Sequence, residues 1–265
     1  MKALPYSRAV AALAFLAAAF LVLPVLVIVL YAFNPTPVLV LPPPGLTLKW
    51  FGNFLANERF RAAVAASLGI VAIVTPASLV IGLPTALALV RTRLPGRGLF
   101  GAFVMSPLII PGVVTGIAFL SFFARLGAPG SFWRLVIAMT CFTLPFAVRA
   151  LVANLHGLDP RLEEAGRNLG GSPWRVFLHV TLPQLRPGLL AGGIFVFVEA
   201  IDNFSIAVFL TDLRVSTLPV QAYDYIRDFD DPTVAAMATM LIALSILLVF
   251  AMQRAVGLDR FFTMH

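Results

Sequence analysis

Lysine is almost missing from this 265-residue chain: there are two, Lys2 and Lys49, and neither follows a glycine. No GxxxxGK phosphate loop can therefore be built, which excludes a P-loop ATP site on the chain itself. The three histidines, His156, His179 and His265, show no HExxH spacing. With one cysteine, Cys141, there is no Cys pair for a metal and no disulfide within the chain. Cys141 lies in an apolar run and is expected as a buried structural thiol. No GxSxG elbow occurs. The lone GxGxxG, Gly96, Gly98 and Gly101, has apolar runs on both sides, so it reads as a turn between spans rather than a dinucleotide loop. These absences leave no catalytic residue and no metal ligand to assign.

Charge is also scarce. Charged residues make up 12% of the chain and hydrophobic residues 60%, the composition of an all-α, polytopic membrane protein. The net charge of +7 does not point to nucleic acid, because 17 of the 19 basic residues are arginines scattered singly at the ends of apolar runs. Six stretches reach the roughly 20 residues needed to cross a bilayer: about 9–33, 62–90, 99–123, 132–152, 188–210 and 233–252. The first is longer than the h-region of a signal peptide and reads as an uncleaved span. Residues 1–265 are expected to form one transmembrane domain. An even span count puts both termini on one side, and the loops on that side hold 12 Arg and Lys against 7 opposite, so both termini are expected in the cytoplasm.

The loops and spans carry weaker signals. The first outer loop, 34–58, holds a proline run expected to be extended and a Trp50-Phe51 pair expected at the membrane interface. The last, 211–232, ends in Asp224, Asp228, Asp230 and Asp231 and reads as a solvated loop or a contact surface. Pro24, Pro76, Pro84, Pro107, Pro111 and Pro145 fall inside spans and predict kinks. Gly112/Gly116 and Gly188/Gly192 have the GxxxG spacing of close helix packing.

The polar stretch 159–183 interrupts this pattern. Asp159-Pro160 is an N-cap followed by the residue favoured at the first helical position, so a short helix should start there. Gly170 sits where that helix would need a left-handed residue after its C-cap. Ser172-Pro173 repeats the cap signal, and a second helix from Trp174 to about Thr181 is expected to stop at Pro183. Leu162, Ala165, Gly166 and Leu169 make a narrow apolar stripe on the first helix, suited to docking in another protein's groove. An ordinary amphipathic loop helix is the alternative.

The spacing within this stretch resembles the cytoplasmic signature of the permease subunits of type I ABC importers: Glu-Ala-Ala, three residues, Gly, nine residues, then Ile-X-Leu-Pro. Glu164, Ala165, Gly166, Gly170, Val180, Leu182 and Pro183 occupy those positions, with Gly166 for the usual Ala and Val180 for the usual Ile. The resemblance implies an importer permease fold and a coupling helix seated on an ATPase. It further implies two ATPase subunits that carry the ATP and magnesium, a second permease subunit forming a heterodimer, and an extracytoplasmic solute-binding protein. The chain itself needs no cofactor on this reading, sits in a bacterial cytoplasmic membrane and has the lipid bilayer as a partner.

In the fifth stretch, Glu199, Asp202 and Asn203 recur at i, i+3 and i+4 and are expected on one helix face. A carboxylate at bilayer depth is unfavourable by roughly 2.5–3.5 kcal/mol, so two of them should face a cavity, a base or each other. Either they lock helices together, or they line a path of negative potential for a cationic solute, with Phe204 beside them. Ala200-Ile201-Asp202-Asn203-Phe204 is similar to a segment of spermidine/putrescine importer permeases, as are Pro107-Leu-Ile-Ile-Pro111, Leu218-Pro219 and the run from Asp231 to Ala236. That resemblance implies a polyamine as the solute. The rival expectation is an ion-coupled secondary transporter that uses Glu199 and Asp202 to bind protons or sodium.

Overall fold

The computed structural model describes residues 7–38, 40, 43–92, 95–127 and 130–256. Among the described residues all regular structure is helical. In chain order the helices are α1 (Ser7–Ala32), α2 (Lys49–Ala56), α3 (Glu58–Arg91), α4 (Arg97–Met105), α5 (Gly112–Leu126), α6 (Ser131–His156), α7 (Pro160–Asn168), α8 (Pro173–Val176), α9 (Leu182–Gln184), α10 (Arg186–Ile201), α11 (Phe204–Leu210), α12 (Leu218–Asp228) and α13 (Thr233–Val256). A 3-10 turn, Ser106–Leu108, follows α4, and a π turn, Phe177–Thr181, joins α8 to α9.

Among the described residues three helices are long and apolar enough to cross a membrane unbroken: Val10–Ala32 within α1, α3 and α6. The stretches expected at 99–123 and 188–210 are not single straight helices. α4 and α5 meet at 98°, and the later stretch is divided where α10 ends at Ile201 and α11 starts at Phe204; ahead of it, the α8–α9 segment meets α10 at 63°. The first bend has a clear cause. Pro107 and Pro111 both lack an amide N–H, and Pro111, with ψ of 134°, leaves the helical region and stands as the N-cap of α5, where a new helix starts. By contrast Pro24, Pro76, Pro84 and Pro145 stay inside continuous helices. In α13 the apolar stretch runs over Thr233–Leu247.

The chain divides into two compact units, one of residues up to Arg61 with Ala222–Ile246, the other of Ala62–Gln221 with the residues from Leu247. In the first, the expected outer loop contains α2, whose Trp50 is buried rather than interfacial. Its indole N–H donates to the Asn34 carbonyl at 2.6 Å, which satisfies the one polar atom that burial would otherwise strand. Phe33 packs on Phe51, and Phe60 bridges Phe54 and Tyr225 at ring distances of 5.0 and 5.1 Å. The acidic outer segment is not a plain loop either. It includes α12, and Asp231 caps α13 by accepting from the Thr233 amide at 2.8 Å and the Tyr225 hydroxyl at 2.9 Å.

The larger unit is arranged around α6, whose Leu135, Met139, Val148, Leu151 and Leu155 are fully buried. Lipid is as apolar as leucine, so helix association here depends on close packing and interhelical hydrogen bonds. Both glycine pairs serve that end. A Cβ on Gly188 would lie 2.8 Å from Asn154 and one on Gly192 3.4 Å from the Ala147 backbone, so α10 sits directly on α6. On Gly112 and Gly116 it would lie 2.9 Å from Ser205 and 2.7 Å from Phe209, so α5 sits on α11. The buried Ser78 and Thr143 hydroxyls pair at 3.0 Å and link α3 to α6. Cys141, expected as a buried thiol, is exposed, because it lies off the packed face of α6.

Candidate functional site

The docking segment follows its local chemistry closely at its first end. The Asp159 carboxylate accepts from the Arg161 amide at 2.9 Å and starts α7 with Pro160 at its first position. α7 then closes in a Schellman motif: Gly170 has φ +83°, its amide donates to the Arg167 carbonyl at 2.9 Å, and the Gly171 amide donates to the Gly166 carbonyl at 3.1 Å. Gly171 is as constrained as Gly170, since a Cβ there would meet the Gly166 carbonyl oxygen at 2.7 Å. Sequence reasoning did not single it out, although a second glycine directly after a C′ glycine was the available signal.

Ser172 caps α8 by accepting from the Arg175 amide at 3.4 Å. Pro183, expected to stop the second helix, does not do so. The backbone shifts into the π turn, where the Leu182 amide donates to the Phe177 carbonyl five residues back, and the chain continues through Pro183 to Gln184. A wider turn absorbs the missing N–H and the ring of Pro183 without ending the helix. The Gln184 side-chain amide donates to the Val180 carbonyl at 2.8 Å, which satisfies an acceptor loosened by the shift.

The signature positions now have physical roles. Gly166 faces Val176 and Val180, where a Cβ would lie 3.2 and 3.5 Å from their methyls, so a small residue on α7 and a β-branched one in the π turn pack the two pieces together. Glu164 and Ala165 are exposed, and Leu182 and Pro183 are half-buried. Leu162, Leu169 and Trp174 are 49%, 89% and 67% exposed, which leaves an apolar surface on the segment. Glu163, which the motif does not include, ties the segment to the rest of its unit. Its Oε1 lies 3.3 Å from the Arg91 guanidinium at the end of α3 and accepts from the Thr181 hydroxyl at 3.1 Å.

The second region lies at the break between α10 and α11. Glu199, Asp202 and Asn203 are not on one continuous helix face, because α10 ends at Ile201 and the Asn203 side chain accepts from the Ile206 amide at 3.0 Å as the N-cap of α11. An asparagine inside an apolar run was the signal for this break. The structure still brings the expected residues together: Val198, Glu199, Asp202, Asn203, Phe204 and Ser205 line one cleft of about 230 Å³. Glu199 is half-buried and Asp202 exposed. Among the described residues neither carboxylate is hydrogen-bonded through its side chain or within 4 Å of a cation, so of the two alternatives the interhelical lock has no partner there. Both lie at the C-terminal end of α10, where the helix dipole already places partial negative charge. The cleft therefore concentrates negative potential.

Residues 78–259 match the family described as "Binding-protein-dependent transport system inner membrane component". The putrescine transport system permease protein PotI of Escherichia coli K12 is 33% identical over 230 residues, covering 84% of this chain and 82% of its own. The spermidine/putrescine transport system permease protein PotC of the same organism is 29% identical over 235 residues, with 89% of each covered. The sulfate transport system permease protein CysT of that organism is 28% identical over 234 residues, covering 83% of this chain and 84% of its own. Among solved structures, a bacterial ABC transporter involved in import of the acidic polysaccharide alginate superposes with a TM-score of 0.74 at 19% identity, covering 94% of this chain and 95% of that one.

Proposed function

Because the chain belongs to the family of binding-protein-dependent transport system inner membrane components, we propose that it forms the translocation path of an importer for a small cationic solute of the polyamine class. It is a permease subunit of an ABC importer, a transport component of the inner membrane whose ATPase activity belongs to a separate subunit. The polyamine reading is carried by the carboxylate cleft: two acids at the end of α10 with no basic partner among the described residues. An arrangement so unfavourable in a membrane is relieved when a cation enters it. At about 230 Å³ the cleft is smaller than the roughly 300–1,000 Å³ of drug-sized sites, which suits a small solute. The names of two relatives point to the same class, whereas the sulfate relative shows that the family also carries anions.

On this reading residues 1–265 form one six-span permease domain with both termini in the cytoplasm. The segment 159–183 docks on an ATPase dimer that binds ATP and magnesium, through Glu164, Ala165 and the apolar surface around them. Gly166, Gly170, Val180, Leu182 and Pro183 keep its shape. A second permease subunit completes the path as a heterodimer, and a solute-binding protein delivers cargo from outside. Closure of the ATPases moves α7 and, through Glu163 and Arg91, the end of α3. The ion-coupled alternative draws no support from the relatives found and has no use for the docking segment.

The test is uptake of labelled putrescine, spermidine and sulfate by cells that express the chain with its partner subunits and lack other routes for these solutes. Loss of a charged contact is worth on the order of 1.5–3 kcal/mol, so the Glu199→Gln/Asp202→Asn variant is expected to lower polyamine uptake by at least about tenfold at unchanged membrane abundance. Uptake that survives this double substitution, or that is confined to sulfate, would refute the polyamine assignment. Uptake abolished by collapsing the ion gradient while ATP is maintained would restore the ion-coupled reading.

A further inference from the structure

A second, larger cleft, of about 520 Å³, opens between the end of α3, the start of α4 and the last turns of α6. Among the described residues its charged groups are Arg97 from α4 and Arg149 from α6, with the His156 imidazole beside them and no carboxylate in the lining. Among the described residues none of the three is within 4 Å of an acidic partner. The start of α4 adds to this. Gly96 takes φ +74° and no side chain caps the helix. The first helical bond is Phe100 N–H to the Gly96 carbonyl, so the amides of Arg97, Gly98 and Leu99 have no acceptor within the helix. The remaining wall is apolar, with Leu89, Met105 and Val152.

Cations from two helices and a hydrocarbon wall, beside a helix start whose first amides have no acceptor within the helix, make an amphipathic anion site. A soluble anion has no use for the wall, and a zwitterionic lipid has no use for two arginines without an acidic partner among the described residues. We propose that this cleft binds the headgroup of an anionic phospholipid, with the phosphate toward Arg97 and Arg149 and the upper acyl chain along Leu89 and Met105. Basic pockets between spans near the membrane surface are suited to such headgroups. The site lies at the ends of α3 and α6 from which the docking segment continues: Arg91 ends α3 and holds Glu163, and α7 follows α6 after three residues. A bound headgroup braces α4 against those two helix ends. The inference rests on reading α3 and α6 as membrane spans and does not depend on the transported solute.

The experiment is native mass spectrometry of the full chain in mild detergent, supplied with equal amounts of phosphatidylglycerol and phosphatidylcholine of matched acyl chains. One phosphatidylglycerol should be retained in preference. At about fivefold per basic residue near the surface, Arg97→Gln/Arg149→Gln should retain about thirtyfold less, and each single variant about fivefold less if the double variant does not reach the membrane. Gly101→Leu keeps every charge but fills the cleft beside Leu89, where even a Cβ would lie 3.5 Å away, and should also lose the lipid. Equal retention of the two lipids, full retention by the arginine variants or by Gly101→Leu, or displacement by inorganic phosphate alone would each overturn the assignment.

Discussion

The docking segment and the carboxylate cleft are both polar interruptions of an apolar chain, and they treat their polar groups in opposite ways. In residues 159–183 caps, a Schellman motif and an ion pair hold the shape, and the groups left over face outward. In residues 198–205 one polar side chain, Asn203, satisfies the backbone, while the two acids have no basic partner among the described residues. On the proposed reading the difference is functional: a segment that transmits a push needs rigidity, so its polar groups serve structure, whereas a cleft that attracts a cation needs charge its own fold does not neutralise.

The largest effect should come from breaking the rigid half. Gly170→Asp forces a residue with a Cβ to φ +83°, and Gly171→Val places one against the Gly166 carbonyl at 2.7 Å. Each is expected to reduce uptake by roughly tenfold or more at normal membrane abundance, read by transport assay and immunoblot, whereas Gly170→Asn should retain more activity because it enters the left-handed region without the negative charge that aspartate adds at the C-terminal end of α7. Wild-type uptake by Gly170→Asp would mean that the Schellman closure plays no part in coupling.

A smaller effect is expected at Glu163, whose ion pair with Arg91 is only partly buried. Glu163→Gln should lower the solute moved per ATP hydrolysed about threefold in reconstituted complexes, consistent with a partly exposed pair worth under about 1 kcal/mol. The exchanged pair Glu163→Arg/Arg91→Glu should recover part of that ratio. Uptake and ATP hydrolysis that change in parallel, leaving the ratio at the wild-type value, would remove Glu163 from the coupling path.

Asn203 sharpens the other side of the comparison. Asn203→Ala removes the N-cap of α11 and should destabilise the fold by about 1 kcal/mol, seen as a lower thermal midpoint of the purified chain, whereas Asn203→Asp should keep the cap. Equal midpoints for the Ala and Asp variants would show that packing of α11 on α5, not the cap, fixes the break.

The smallest effect concerns Asp212, just after α11. Its carboxyl is held below the usual aspartate range by the amides of Val215 and Arg214, each at 2.9 Å, with help from the Ser131 hydroxyl and Arg134. The turn's contribution is therefore complete above the ordinary aspartate value of about 3.9 and is lost as pH falls through the lower folded value. The side chain is largely in solvent, so the effect is slight. The difference in thermal midpoint between wild type and Asp212→Asn should be small at neutral pH and shrink below about pH 4. A difference that grows on acidification would contradict the hydrogen bonds described.

Legibility in the sequence tracked the range of the forces involved. Asp159-Pro160, Gly170 and Ser172-Pro173 act within four residues of themselves, and each does what its local chemistry requires. Pro183 was misleading because a proline's effect depends on whether the preceding turn can widen, and the π turn at 177–181 does so. Trp50 reads as an interfacial residue until Asn34, sixteen positions earlier, supplies an acceptor that lets it be buried. The break at Asp202-Asn203 was hidden because Glu199, Asp202 and Asn203 share one face if the helix simply continues.

Composition, the two isolated lysines and the caps within 159–183 were enough by themselves to determine an all-α membrane chain with a capped polar helical segment and no phosphate loop of its own, because each depends on residue type or on contacts within a turn or two. The tertiary structure decided what distance along the chain conceals. It broke the third and fifth apolar stretches, joined Glu163 to Arg91 across 72 positions and set Gly112 and Gly116 against α11. It also left Glu199 and Asp202 without a basic partner among the described residues. The reason is physical: a cap or a left-handed glycine is satisfied by its neighbours in sequence, whereas the partner of a buried or charged group is chosen only when helices pack.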